Sequence, residues 1–126
     1  MNIEILREYC LHLPFTEEKL PFDDTTLVFC VGGKMFAMID LDNATSVNLK
    51  CDPERAITLR ENYSGIIAGW HMNKKHWNTV FFDSDVSDKL ILAMTEHSYS
   101  LVWQKLPKKI RENFLPLNQQ SNKQSK

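Results

Sequence analysis

The 126-residue sequence has few cysteines and no long hydrophobic run, and each shortage excludes a class of protein. Its three cysteines, Cys10, Cys30 and Cys51, are odd in number and form no CxxC pair, so a disulfide framework is not expected. The longest uninterrupted apolar runs have five residues, far short of the roughly 20 that span a bilayer. Acidic residues stand in the N-terminal segment where a signal peptide would carry positive charge. We therefore expect reduced thiols, a cytoplasmic location and no membrane partner.

Net charge is also nearly absent, but the charges are unevenly distributed along the chain. The formal net charge of −1 excludes a global positive field that would attract nucleic acid. Residues 1–54 nevertheless hold 4 basic and 10 acidic side chains, whereas residues 55–126 hold 11 basic and 6 acidic ones. Basic residues cluster at Lys74–Lys75 and between Lys105 and Arg111. A nearly neutral domain of this kind can still present a local positive patch to phosphate.

Hydrophobic spacing predicts the order helix, three strands, helix, two strands and long helix. The connection between Pro14 and Pro21 is predicted to be irregular. The predicted elements are a helix over Asn2–Leu13, strands over Thr25–Val31, Met35–Leu41 and Ser46–Lys50, a helix opened by Asp52-Pro53-Glu54 and ended at Gly65, strands over Ile66–Met72 and Trp77–Phe82, a long helix starting near Ser84, and a short helix from Pro107.

Short connections between the strands predict an antiparallel sheet. Gly32 and Gly33 supply the positive φ angles of a tight hairpin with Lys34 at its tip, and a second hairpin turns across residues 73–76. The fold class is therefore α+β, with about five antiparallel strands built from hairpins and helices packed on one face. We expect a single domain over residues 1–116 and a disordered polar tail over residues 117–126.

Several segments resemble the MmcQ/YjbR-like family. In Gly69–Val80 a Gly-aromatic-His sequence leads through Asn-Lys to His-Trp, as in that family's signature. Ser98–Val102 and Leu106–Lys109 are similar to its terminal Ser-Tyr and Leu-Pro-Lys-Lys motif. Gly33–Ala37 and Leu49–Ala56 match the family as well, so that the resemblance covers residues 20–112.

The resemblance implies a fold similar to CyaY and frataxin, and DNA binding through a "double wing" of two hairpins. Binding would consist mainly of contacts to the phosphate backbone, with weak sequence discrimination. The residues expected to contact DNA lie on the two hairpins and near the C-terminus: Lys34, His71, Asn73, Lys74, Lys75, His76, Trp77, Lys108, Lys109 and Arg111.

Two interpretations stay open for several of these residues. Trp70 and Trp77 either stack on exposed bases or pack across the hairpin. The lysines of the second hairpin either contact a ligand or are ordinary solvated surface. The basic residues near the C-terminus either add backbone contacts or serve as solubilising charge at a helix end.

Two other functions remain as alternatives to DNA binding. The uncovered sheet face or an exposed strand edge suits a protein-interaction module. The frataxin likeness suggests iron binding through Glu4, Glu8, Asp23 and Asp24, whereas zinc is unsupported because no HExxH or paired CxxC motif occurs. No nucleophile elbow or Cys-His arrangement is present, so we expect neither an enzyme nor a cofactor.

Overall fold

The computed structural model describes residues 1–114, in which a six-stranded antiparallel sheet is covered on one face by helices. The strand order is β1-β2-β3-β4-β6-β5. The strands are β1 (Thr16–Lys19), β2 (Thr26–Val31), β3 (Lys34–Asp40), β4 (Ser46–Lys50), β5 (Ile66–Ala68) and β6 (Trp77–Phe81), and the helices are α1 (Ile3–His12), α2 (Pro53–Asn62), α3 (Asp88–Lys105) and α4 (Lys108–Phe114).

Polar side chains set the starts of the three longer helices. Asn2, Asp52 and Ser87 each accept a hydrogen bond from the backbone N–H three residues later, which satisfies one of the unpaired donors of the first turn. The sequence prediction is confirmed for Asn2 and Asp52. It placed the start of α3 too early, because the Ser84 hydroxyl accepts from the N–H of Val86 in the preceding turn.

The first predicted hairpin is confirmed. Gly32 and Gly33 both have positive φ, at 59° and 78°, and Val31 pairs with Lys34 across this two-residue turn. The second hairpin also pairs as predicted, although β5 ends at Ala68 and the chain leaves the ladder after Gly69, whose N–H still donates to the carbonyl of Trp77. α2 likewise ends at Asn62, before the predicted Gly65.

The prediction of an irregular connection between Pro14 and Pro21 was wrong. Thr16–Lys19 forms the edge strand β1, which pairs antiparallel with β2. This four-residue strand has the sequence TEEK and no apolar residue, so hydrophobic alternation could not reveal it. Charged residues are typical of edge strands, where they prevent pairing with another chain. The sheet therefore has six strands rather than about five.

The hydrophobic core lies between the sheet and the helices, as predicted. Alternate residues of the strands face α1, α2 and α3 and are buried, and all three cysteines are buried and free. The core includes Leu6, Cys10, Leu27, Phe29, Val31, Ala37, Ile39, Val47, Leu49, Ala56, Ile66, Val80, Ile91, Met94 and Val102. The other sheet face, which we call the open face, carries the intervening side chains. Among residues 1–114 no helix is long and apolar enough to cross a membrane.

α4 confirms the predicted short terminal helix. The predicted tail over residues 117–126 and the domain boundary at residue 116 lie outside the described residues.

The hydroxyl of Ser98, on the buried side of α3, joins the helix to two neighbouring strands. It donates to the carbonyl of Phe36 over 2.5 Å and accepts from the N–H of Lys50 over 2.9 Å. Ala37 pairs with Leu49 at the end of the β3–β4 ladder, so Phe36 and Lys50 are the next residues along these two strands. The side chain of Ser98 thus replaces a backbone ladder bond at the point where the strands separate.

We predict that Ser98→Ala lowers the free energy of unfolding by about 1–3 kcal/mol, because it leaves a buried carbonyl and a partly buried N–H without a partner. Urea denaturation measures the change. The matched control is Ser100→Ala in the same helix, which should change stability by no more than about 0.5 kcal/mol. Equal effects of the two substitutions would show that the Ser98 bridge does not stabilise the fold.

Candidate nucleic-acid interface

The topology brings five lysines from four segments to one end of the sheet, which we call the basic end. The β2–β3 hairpin, the end of β4 and the start of β6 meet there, because Val31 pairs with Lys34 and Lys50 pairs with Trp77. The end of α3 also lies there, since the side chain of Leu106, the residue after α3, packs against Gly32. The contact is so close that a Cβ atom on Gly32 would be 2.7 Å from Cδ1 of Leu106. The lysines of the basic end are Lys34, Lys50, Lys74, Lys75 and Lys105.

Aspartates occupy the opposite end of the sheet, which we call the acidic end. Four connections meet there: β1–β2, β3–β4, α2–β5 and β6–α3. Bonds from the backbone and hydroxyls of Thr25 and Thr26 lower the pKa of the Asp23 carboxyl, and bonds from the N–H groups of Gly65 and Ser64 do the same for Asp85. The aspartates of the acidic end are Asp23, Asp24, Asp40, Asp42, Asp83 and Asp85.

Three lysines of the basic end, Lys34, Lys50 and Lys105, lie close enough for their charges to interact. The pKa of Lys50 is lowered, first by its partial burial and then by the positive charges of Lys105 and Lys34. The ion pairs formed within residues 1–114 involve none of the five lysines. Two acids, Asp52 and Glu54, also lie at this end, where they stand at the positive N-terminus of α2.

The connection between β5 and β6 presents two of these lysines on a closed turn. The side-chain oxygen of Asn73 accepts from the N–H of Lys75 over 2.9 Å, and its backbone carbonyl accepts from the N–H groups of His76 and Trp77. The Asn73 side-chain oxygen therefore holds the turn, and its amide nitrogen is the group left to donate to a ligand. Lys74 and Lys75 are exposed at this turn.

The two tryptophans of the second hairpin have different environments. Trp77 is only 8% exposed and pairs with Lys50, which favours packing across the strands over stacking on a base. Trp70 is 64% exposed and lies on the open face. His71 follows it there, edge-on to the Trp70 ring, and therefore does not join the lysines of the basic end.

The C-terminal basic residues predicted to contact DNA differ in their solvent exposure and in their contacts with other residues. Lys109 is exposed, and Lys108 is 4.0 Å from Glu112 within α4. Arg111 is partly buried, and its Nε has no hydrogen-bond partner within the described part of the chain. Because α4 directly follows Leu106, the two lysines flank the basic end.

Sequence reasoning missed Lys50 as a candidate. It was predicted as the last residue of a strand, but only the strand order places the end of that strand between the two hairpins. Of the acidic residues of the iron hypothesis, Glu4 and Glu8 lie one turn apart on α1, and Asp23 and Asp24 lie on the β1–β2 connection. Among residues 1–114 no three His, Cys, Asp or Glu side chains are grouped so that they could hold a metal ion.

Comparison with known proteins agrees with the motifs of the sequence. The YjbR family model matches residues 11–101, more than half of the chain. The chain belongs to the YjbR family. It is 34% identical over 114 residues to YbdF of Escherichia coli O157:H7, covering 90% of this chain and 93% of that protein. It is 32% identical over 118 residues to YjbR of E. coli K12, covering 93% of this chain and all (100%) of YjbR. Both of these YjbR-family relatives are named as uncharacterised proteins.

Two solved structures share the fold. Protein DR2400 of Deinococcus radiodurans, a DUF419 domain, superimposes with a TM-score of 0.84 at 39% identity, covering 90% of this chain and 87% of that one. A protein from Pseudomonas syringae superimposes with a TM-score of 0.69 at 27% identity, covering 81% of this chain and 99% of the other. The YjbR-family chain described here therefore has the α+β fold that its sequence predicted.

We predict that Lys105→Gln raises the pKa of Lys50 towards the ordinary lysine value, because it removes a neighbouring positive charge. A pH titration of the lysine side-chain signals by NMR measures the shift. Lys89→Gln at the other end of α3 removes the same charge and should leave the Lys50 titration unchanged. If both substitutions had the same effect, the lysines of the basic end would not form one electrostatic cluster.

Proposed function

We propose that this protein binds DNA through its basic end, with the lysines contacting backbone phosphates. The observation that supports this function is the uneven distribution of charge along the strands: five lysines from four segments lie at one end together with Asp52 and Glu54, and six aspartates lie at the other end together with Lys89. The role is one of binding without catalysis. Lysines act as point charges rather than as the planar forks with which arginine reads bases, so sequence discrimination should be weak.

The spacing of the two hairpins suits a duplex. In the strand order, the β2–β3 hairpin and the β5–β6 hairpin are separated by β4. With neighbouring strands about 4.8 Å apart, the hairpin centres are about 14 Å apart. This distance is comparable to the roughly 12 Å width of the major groove of B-DNA. The hairpins can therefore reach phosphates on the two sides of a groove, with Lys50 between them.

A second candidate is a protein-interaction module, and one feature favours it. Leu20 and Phe22 are exposed together on the connection between β1 and β2, next to the acidic end. Exposed apolar side chains beside a charged surface are typical of protein interfaces. Partners that remain bound after nuclease treatment and at high salt would support this candidate.

The DNA-binding proposal predicts a steep dependence on salt. If three to five phosphates are contacted, the logarithm of the association constant should fall with the logarithm of salt concentration with a slope of about −3 to −4.5. Fluorescence anisotropy with a labelled duplex over a salt series measures this slope. A slope near zero, or no binding at low salt, would contradict the proposal.

Charge reversal tests the second hairpin directly. Lys74→Glu combined with Lys75→Glu should weaken duplex binding at least tenfold while leaving the urea midpoint unchanged, because both side chains are exposed. As a matched pair, Lys75→Glu is compared with Lys89→Glu, which makes the same charge change at the acidic end. Equal losses from this pair would mean that net charge, and not the basic end, controls binding.

A further inference from the structure

The open face carries a pocket of about 530 Å³ near the acidic end, and the DNA-binding proposal does not use it. Met38 and Phe81 supply apolar surface, and Asp40, Ser46 and Asn48 supply polar groups. Trp70 completes the pocket from the β5–β6 connection. A volume of this size and a mixture of apolar area with a few polar groups are typical of small-molecule sites.

The backbone of Trp70 is fixed although its side chain is exposed. Its N–H donates to the Thr79 hydroxyl over 2.9 Å, and its carbonyl accepts from the Asn48 amide over 3.4 Å. The Thr79 hydroxyl in turn donates to the Asn48 side-chain oxygen over 2.6 Å. The following residue, His71, has a φ of 57°, in the left-handed region that a non-glycine residue seldom adopts. The fold therefore fixes the backbone from which a large exposed aromatic ring extends beside the open face.

Among the polar groups of the pocket, the Asp40 carboxylate favours a ligand that donates a hydrogen bond, whereas Ser46 and Asn48 can both donate and accept. The Asp40 carboxylate can only accept, and one of its oxygens already accepts from the N–H of Asp42 over 3.0 Å. The other oxygen remains for a donor on the ligand. The aspartates of the acidic end repel phosphate, so the group that enters the pocket is not the phosphate itself. A flat heterocycle with an amino group meets both requirements, because it can stack on Trp70 and donate to Asp40.

We propose that this pocket binds an unpaired nucleobase that carries an amino group, stacked on Trp70 with its amino edge at Asp40. The base can come from a free nucleoside or from a single strand. Binding of a free nucleoside does not depend on the basic end. Binding of a single strand to both the pocket and the basic end rests on the proposed function.

Cytidine and uridine are probes with opposite patterns on this edge of the base: cytidine donates at position 4 and accepts at N3, whereas uridine accepts at position 4 and donates at N3. Isothermal titration calorimetry should show tighter binding of cytidine than of uridine. Asp40→Asn should remove this preference, since an amide can donate to the uridine oxygen as well as accept. Asp42→Asn, the same change at the neighbouring residue, should preserve it. Loss of the preference in both variants, or none in the wild type, would overturn the role of Asp40.

Trp70→Ala should weaken cytidine binding about fivefold or more, the loss expected for one base–aromatic stack. Trp103→Phe, on the helix side of the sheet, should bind cytidine like the wild type. Unchanged affinity in Trp70→Ala, or no cytidine binding by the wild type, would overturn the proposal.

Binding of a single-stranded cytosine oligonucleotide distinguishes the two possible sources of the base, a free nucleoside and a single strand. If a strand is the source, Trp70→Ala should weaken binding of the oligonucleotide but not of the duplex; if a free nucleoside is the source, only cytidine binding should change. The Lys74→Glu, Lys75→Glu variant should still bind cytidine under either source. A loss of cytidine binding in this variant would contradict an independent pocket, whereas a failure of duplex binding alone would contradict only the proposed function.

Discussion

The alternation of chain direction in the antiparallel sheet is the constraint on which the charge distribution depends. β2 ends and β3 begins at one end of the sheet, and β4 returns the chain to that same end. α2 then carries the chain back across the helical face, so that β5 runs in the same direction as β4 and the β5–β6 connection also falls there. Every second connection is thus directed to the same end. Lysines in those connections are collected into one surface although they are as much as 71 positions apart, from Lys34 to Lys105.

The distance between the two ends explains how a chain with a net charge of −1 can present a positive surface. β3 has seven residues, so it separates the basic end from the acidic end by about 23 Å. At physiological ionic strength the Debye length is about 8 Å, and charges separated by nearly three such lengths are largely screened from each other. A phosphate at the basic end therefore interacts with the nearby lysines and only weakly with the aspartates. The net charge of this protein therefore does not indicate the charge of its local surfaces, because lysines and aspartates are separated along the strand direction.

Local signals in the sequence were sufficient for most elements of the fold. Capping side chains and the Gly32-Gly33 pair act over a few residues, so they could be recognised without knowledge of the tertiary structure. β1 could not be recognised, because an edge strand made of charged residues has no hydrophobic pattern. For the candidate site the limit was the strand order. The sequence indicated Lys74 and Lys75, but the position of Lys50 between the two hairpins follows only from the pairing of β4 with β6.

The β5–β6 connection links the two surfaces of the molecule. Its first half follows the open face and is anchored by Asn48 and Thr79, and its second half is closed by Asn73 and carries Lys74 and Lys75. The backbone at the exposed indole and the backbone at the two exposed lysines are therefore held by separate sets of hydrogen bonds within a single short segment. Because each half has its own anchor, a ligand on the open face need not displace the lysines. The arrangement allows the two surfaces to bind independently, and a strand long enough to reach both would gain from their fixed spacing.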